Sequence, residues 1–241
     1  MSEPLVLDRV SVRYGGVTAL SEASLTVVPG RVLGLIGPNG AGKTTMINAT
    51  TGIAPLVGGA LRVGARRIDG LAPHLIARAG IARTYQNIRL FSALDVLANV
   101  AAGAYTRPGR LRDADARGYL ERAGIGHVDL HATASALPYG DQRRLEIARA
   151  LAAQPAIVML DEPAAGMNPT ETTHLAATIT AIAASGIGVL LIEHDMTLVR
   201  AVCNDVVVLN FGEVIGRGTP AEIARDPVVI EAYLGTDEGA A

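Results

Sequence analysis

The chain has 241 residues, 49% apolar and 3% aromatic, with one cysteine, no tryptophan and a formal charge of −2. Such a length suits one large domain, or a core with a smaller lobe, and supplies enough apolar material for a sizeable interior. The near-neutral balance argues against a nucleic-acid binder working through a broad basic surface, and a lone thiol, Cys203, excludes an intrachain disulfide and fits a reducing compartment.

The N-terminus, M-S-E-P-L-V-L-D-R-V, has early acids and no apolar core of signal-peptide length. Residues 5–12 and 24–28 read as antiparallel β additions, and V-L-G-L-I at 32–36 is the first uninterrupted aliphatic strand. From about 87 to 151 the pattern is helical, over 94–105, 112–123 and 141–153, broken by R-P-G-R at 107–110. Aliphatic strands resume at 157–160, 189–192 and 206–209. Being apolar throughout rather than alternating, they suit parallel strands covered on both faces. Thr172 to Ile192 carries no Asp, Glu, Lys or Arg over 21 residues, a bilayer-spanning length. Its threonines and the break at S-G-I-G (185–188) instead predict a helix followed by a buried strand. The expected class is α/β: strand 32–36 runs straight into G-P-N-G-A-G-K-T (37–44), the pattern of a P-loop NTPase (RecA-like) core, with N-terminal antiparallel β additions and an inserted α-helical subdomain. The core covers 1–86 and 152–241, and the insertion 87–151.

The run Gly37, Pro38, Asn39, Gly40, Ala41, Gly42, Lys43, Thr44, Thr45 contains G-x-x-x-x-G-K-[ST], placed after a strand and before a helix beginning near Gly42. Glycines let backbone N–H groups turn toward an anion, and the helix N-terminus adds donors and partial positive charge. Lys43 is the only lysine; every other member of the 21 Lys and Arg is arginine. A loop wrapped round phosphates has room for an ammonium on a thin stem but not for a planar five-donor fork. Lys43 therefore suits the β- and γ-phosphates, and the Thr44 hydroxyl suits Mg²⁺. With no second lysine, the guanine-reading N-K-x-D element of GTPases cannot be built.

I-V-M-L-D-E (157–162) ends a strand in two adjacent acids, which on a strand point to opposite sides. Asp161 is assigned to the metal, through water, and Glu162 to general-base activation of the attacking water. Asp195 reads as a helix N-cap.

Taken in order, Tyr14, G-P-N-G-A-G-K-T-T, Gln86, L-P-Y-G-D-Q-R-R-L-E-I-A-R-A-L from Leu137, V-M-L-D-E-P and His194 resemble the ATP-binding subunit of an ABC transporter, over about Leu5 to Leu234. The resemblance implies that Tyr14 stacks on adenine, that Gln86 reaches Mg²⁺ and the attacking water and senses the membrane partner, and that His194 contacts the γ-phosphate. It also implies a head-to-tail dimer, homo- or heteromeric, in which the signature binds the γ-phosphate held by the opposite subunit. Here the signature reads Leu137, Pro138, Tyr139, Gly140, Asp141 instead of L-S-G-G-Q. A hydroxyl donor is absent and a carboxylate is added, so reduced but real ATPase activity is expected.

Asn168 stands where many relatives carry aspartate. E-P-A-A-G-M-N-P, L-P-Y-G, R-T-Y-Q-N-I-R-L-F, I-E-H-D-M and G-R-G-T-P-A-E-I-A-R-D-P-V-V-I-E-A-Y-L-G resemble the subunit of bacterial branched-chain amino acid importers. Importers of amides or urea and the subunit driving lipopolysaccharide export are similar too. The resemblance implies separate integral membrane permeases, indirectly a substrate-binding protein, no nucleic acid, and a peripheral place on the cytoplasmic face of the inner membrane. I-R-L-F (88–91) is either an exposed apolar contact for the permease or the lobe's first turn packing inward. A soluble ABC-type ATPase acting on ribosomes or DNA would bring a second cassette or long coiled coils, which are absent from the sequence. A non-hydrolysing nucleotide sensor is the reading that the altered signature leaves open.

Overall fold

A computed structural model describes residues 3–106 and 111–234; the connector at 107–110 lies outside them. In chain order, β1 (Leu5–Tyr14) and β2 (Val17–Val27) form a hairpin, and β3 (Val32–Ile36) leads into α1 (Lys43–Thr50). Next come β4 (Gly58–Val63), β5 (Arg66–Arg67), α2 (Pro73–Arg78) and β6 (Ile81–Arg83). Three helices follow, α3 (Val96–Gly103), α4 (Asp113–Arg122) and α5 (Tyr139–Ala152). Then β7 (Ile157–Asp161), α6 (Pro169–Ala184), β8 (Gly188–Ile192), α7 (Met196–Val202), β9 (Asp205–Asn210) and β10 (Glu213–Gly218) precede α8 (Pro220–Ile223) and α9 (Pro227–Leu234).

Two sheets result. The larger has the order β10-β9-β3-β8-β7-β6 and the smaller β2-β1-β4-β5. β6, β7, β8, β3 and β9 run parallel, and β10 is an antiparallel edge. The aliphatic runs are continuous because both faces are covered. Ile157 and Met159 of β7 enter the core shared with the small sheet, while Val158 and Leu160 enter the core beneath the helices. β8 divides alike, Leu190 and Ile192 to one side and Val189 and Leu191 to the other. The period of two is thus present in space although every residue is apolar.

Two expected boundaries move. The second N-terminal strand begins at Val17, not at 24, because it pairs with the whole of β1, from Leu5↔Val27 to Tyr14↔Val17. α5 begins at Tyr139 rather than 141: Pro138 is its N-cap, and the Pro138 carbonyl accepts from the N–H groups of Asp141 and Gln142. The charge-free stretch resolves into α6 and the buried β8, and no helix among the described residues is long and apolar enough to cross a membrane. Of residues 88–91, Leu90 packs against the core and Phe91 is exposed.

Candidate functional site: a phosphate loop and two strand ends

The carboxyl ends of β3, β8 and β7 meet at one edge of the large sheet, where open α/β sheets present ligand crevices. The loop after β3 turns through glycines that no other residue could replace without strain. Gly37 (φ 151°) lies so close to β9 that an added Cβ would sit 2.1 Å from the Leu209 carbonyl oxygen. Gly42 (φ 106°) is the N-cap of α1 without any side-chain cap, which leaves the helix N-terminus open to a ligand. Lys43 folds back to donate from Nζ to the carbonyls of Gly37 (2.5 Å) and Pro38 (3.0 Å). Burial lowers its pKa below the usual lysine value, while Glu162 and Asp161 act to raise it.

A cleft of about 460 Å³ opens over the loop, lined by Asn39 to Thr45, Gln86 and Glu162 together with Val17, Thr18, Ala19 and Phe211. Parallel pairing explains how distant residues converge. Asp161 is in register with Ile192, and Glu162 N–H donates to the Ile192 carbonyl at 2.9 Å. The residues just past both strands, Glu162 and His194, therefore lie together, with His194 Nδ1 4.0 Å from Glu162 Oε2. Gln86 Nε2 donates to the same Glu162 oxygen at 2.9 Å. Glu162 is not placed by strand alternation: it lies beyond the end of β7 with φ 45°, a left-handed residue.

Asp161 is buried and its Oδ2 accepts from Arg83 Nη2 at 3.0 Å. Burial raises its pKa, against the pull of Arg83. Tyr14 is half exposed at the end of the β1–β2 hairpin and does not line the cleft. Asp195 caps α7, accepting from Thr197 N–H at 2.7 Å.

None of Leu137, Pro138, Tyr139, Gly140 and Asp141 lines the cleft. Leu137 and Pro138 lead into α5 and Tyr139, Gly140 and Asp141 form its first turn, where the Tyr139 hydroxyl donates to the Ala165 carbonyl at 3.1 Å. Asp141 lies in the first turn of α5, 3.6 Å from Arg144 and 3.8 Å from His127. Asn168 is the N-cap of α6 in a reciprocal capping box with Glu171, a role in which asparagine and aspartate serve equally.

Three participants had no legible signal in the sequence. Arg83 is one among twenty arginines. Arg143, fully buried, donates to the carbonyls of Tyr85 (2.5 Å) and Gln86 (2.6 Å), and so fixes the Gln86 backbone to the signature helix. Phe211 reaches the cleft from the turn after β9, where only the F-G dipeptide marks a turn.

Residues 20–165 match the model of the ABC transporter family, and 213–239 match that of the branched-chain amino acid ATP-binding cassette transporter. Among curated proteins, the chain is 41% identical to the high-affinity branched-chain amino acid transport ATP-binding protein BraF of Pseudomonas aeruginosa, over 98% of this chain and 99% of that one. It is 36% identical to the lipopolysaccharide export system ATP-binding protein LptB of Escherichia coli, over 97% and 98%. Among solved structures, the ADP conformation of MJ1267, an ATP-binding cassette of an ABC transporter, superposes with a TM-score of 0.86 at 28% identity, covering 98% of this chain and 99% of that one. With a phosphate loop, a strand-end carboxylate pair and full-length relatives of this kind, the chain belongs to the ATP-binding subunits of the ABC transporter family.

Proposed function

We propose that the chain hydrolyses ATP to energise import of branched-chain amino acids, or closely similar small solutes, through separate membrane permeases. The observation that carries this is the meeting of Lys43, Gln86 and Glu162 at one cleft, with His194 4.0 Å from Glu162, in a chain whose curated relatives include BraF across nearly its full length. Phosphoryl transfer needs positioning and charge stabilisation more than covalent chemistry. Lys43 and loop N–H groups between Asn39 and Thr45 hold the β- and γ-phosphates. Glu162 accepts the proton of the attacking water, Gln86 orients that water, and His194 steadies the γ-phosphate. Tyr14, which lies outside the lining of that cleft, keeps its role against the adenine only on the family likeness.

Thr44 and Gln86 line the cleft and offer hard oxygen donors, while Asp161 lies outside its lining with Oδ2 held by Arg83 and would act on the metal through water; no cluster of three or more His, Cys, Asp or Glu suited to a metal occurs among the described residues. That donor set fits Mg²⁺, which takes few protein ligands and completes its shell with phosphates and water. Bound there, Mg²⁺ would neutralise phosphate charge.

The signature, remote from its own cleft, serves the opposite protomer in a head-to-tail dimer. Pro138 removes a hydroxyl donor, but Asp141 does not project an uncompensated charge, since Arg144 lies 3.6 Å from it and the helix N-terminus favours it. Residues 87–151 act as the lobe that presents this helix, and residues 1–86 and 152–241 as the nucleotide-binding core. The permease docks in a groove of about 570 Å³ between core and lobe, lined by Tyr85, Arg89, Phe91, Tyr105 and Arg149 among others. The substrate-binding protein acts through that permease, no nucleic acid takes part, and the subunit sits on the cytoplasmic face of the inner membrane.

Glu162→Gln tests the assignment. ATP binding persists and hydrolysis falls by roughly 10²–10⁴, the worth of a positioned base. Turnover near that of the parent refutes it. A lipid-export role, which the likeness to LptB favours, is distinguished by which permeases stimulate the wild-type ATPase.

A further inference from the structure

Phe211 combines three features that the fold leaves unexplained. It is 83% exposed, in a chain with two phenylalanines. Its φ is 44°, a left-handed value disfavoured for a bulky aromatic side chain. It also lines the cleft over the phosphate loop, together with Val17, Thr18 and Ala19. Asn210 pairs with Glu213, so Phe211 and Gly212 (φ 82°) form a two-residue hairpin turn with both central residues at positive φ. Such turns are ordinarily built from Asn-Gly or Asp-Gly.

The turn is anchored to the nucleotide loop itself. Gly212 N–H donates to the Ala41 carbonyl at 2.9 Å, and the Gly212 carbonyl accepts from Ser21 N–H at 2.9 Å. A Cβ on Gly212 would lie 2.7 Å from the Ala19 carbonyl oxygen, so the turn is pressed against β2 and cannot slide away. The ring thus stands on a rigid base at the rim of a cleft whose floor is made for phosphates. An exposed aromatic held in an unfavourable backbone conformation points to function.

We propose that the Phe211 ring is a wall of the nucleotide site that packs against the nucleoside part of the bound nucleotide, beside Val17 and separately from Tyr14. This rests on the reading that the cleft holds ATP. An apolar ring face has no hydrogen-bonding preference, so it serves adenine and guanine nucleosides alike and contributes affinity without base selectivity.

Calorimetric titration of the full chain with MgATP, MgGTP and inorganic tripolyphosphate tests this. Phe211→Ala weakens ATP and GTP by similar factors, about 5- to 100-fold, the usual worth of one base–aromatic contact. It leaves tripolyphosphate within about twofold, because the phosphate loop is untouched. Phe211→Asn, which suits the left-handed turn, shows the same loss of ATP affinity while its Tm is equal to the parent's or a few degrees higher. Phe211→Tyr keeps the parent affinity. Unchanged ATP affinity in Phe211→Ala overturns the proposal. Equal losses for ATP and tripolyphosphate also overturn it, since the ring would then act through loop shape. A wild-type chain that binds no MgATP, or a Lys43→Ala variant that binds it undiminished, overturns the ATP reading as well. Loss confined to Phe211 variants speaks to the ring alone.

Discussion

Arg143 offers the sharpest test of how the site is held together. Its side chain has no exposed surface, and neither has that of Glu146, its partner at 3.0 Å. The guanidinium also donates to two carbonyls, Tyr85 and Gln86, and its Nε has no partner among the described residues. Arg143→Ala leaves Glu146 buried with Arg149, at 3.5 Å, as its remaining charged neighbour, and leaves both carbonyls without their donor. Removing one member of a buried pair costs roughly 3–5 kcal/mol. For a chain of this size that corresponds to a Tm lowered by roughly 6–20 °C, at about 2–4 °C per kcal/mol. Glu146 adds a signature of its own. Burial already raises its pKa, and losing Arg143 raises it further. The folded variant then holds a proton that the unfolded chain has released, so its deficit grows as pH rises above the ordinary glutamate range and shrinks on acidification. Replacing both, Arg143→Met with Glu146→Leu, removes the buried carboxylate that the single variant strands, leaves Arg149 able to turn toward solvent, and recovers about 1–2 kcal/mol of the loss. Thermal and urea unfolding of parent, single and double variants at pH 5 and pH 8 measure all of this. A single variant within about 1 kcal/mol of the parent, or a double variant no better than the single, refutes the reasoning.

Other outcomes follow from single contacts. Gly37→Ala places a methyl group 2.1 Å from the Leu209 carbonyl oxygen, which forces the phosphate loop off β9; ATP affinity drops at least about tenfold, measured by calorimetry, with a lowered Tm. Glu193, almost fully buried, accepts from Ala164 N–H at 2.9 Å, and burial raises its pKa above 4.5. The folded state therefore binds its proton more tightly than the unfolded state, and stability falls as pH rises through and beyond that value. Glu193→Gln flattens this part of a Tm-against-pH curve, and an unchanged slope would count against the assignment. Burial pushes the Cys203 thiol from 9.0 to about 12, so about a thousandfold less thiolate exists at neutral pH than in an ordinary cysteine. Iodoacetamide labelling of this partly buried thiol should be slow in the native protein at neutral pH and accelerate on unfolding in urea, whereas rapid stoichiometric labelling of native protein would contradict the raised pKa.

What the residues alone determined was local and periodic. Val32–Ile36, Ile157–Leu160 and Val189–Ile192 had to be strands covered on both faces, since aliphatic runs of that length have no polar face to give to water. The glycines from Gly37 to Gly42 had to form a turn of positive φ, and with the lone lysine they predict an anion-binding one, because loop chirality and ammonium size are properties of residues in sequence. Boundaries were less legible where pairing decides them: β2 extends to Val17 only because β1 is there to meet it.

Only the tertiary structure decided which distant residues share the cleft. Glu162 and His194 meet because β7 and β8 pair in register, and Glu162 turns by a left-handed backbone rather than by strand alternation. Arg143 reaches Gln86, Arg83 reaches Asp161, and Phe211 reaches the phosphate loop through packing and strand order. Such contacts span 57 residues from Gln86 to Arg143 and 78 from Arg83 to Asp161. Periodicity acts over a few residues, whereas these pairings are selected by burial of the whole chain, so no local pattern announces them.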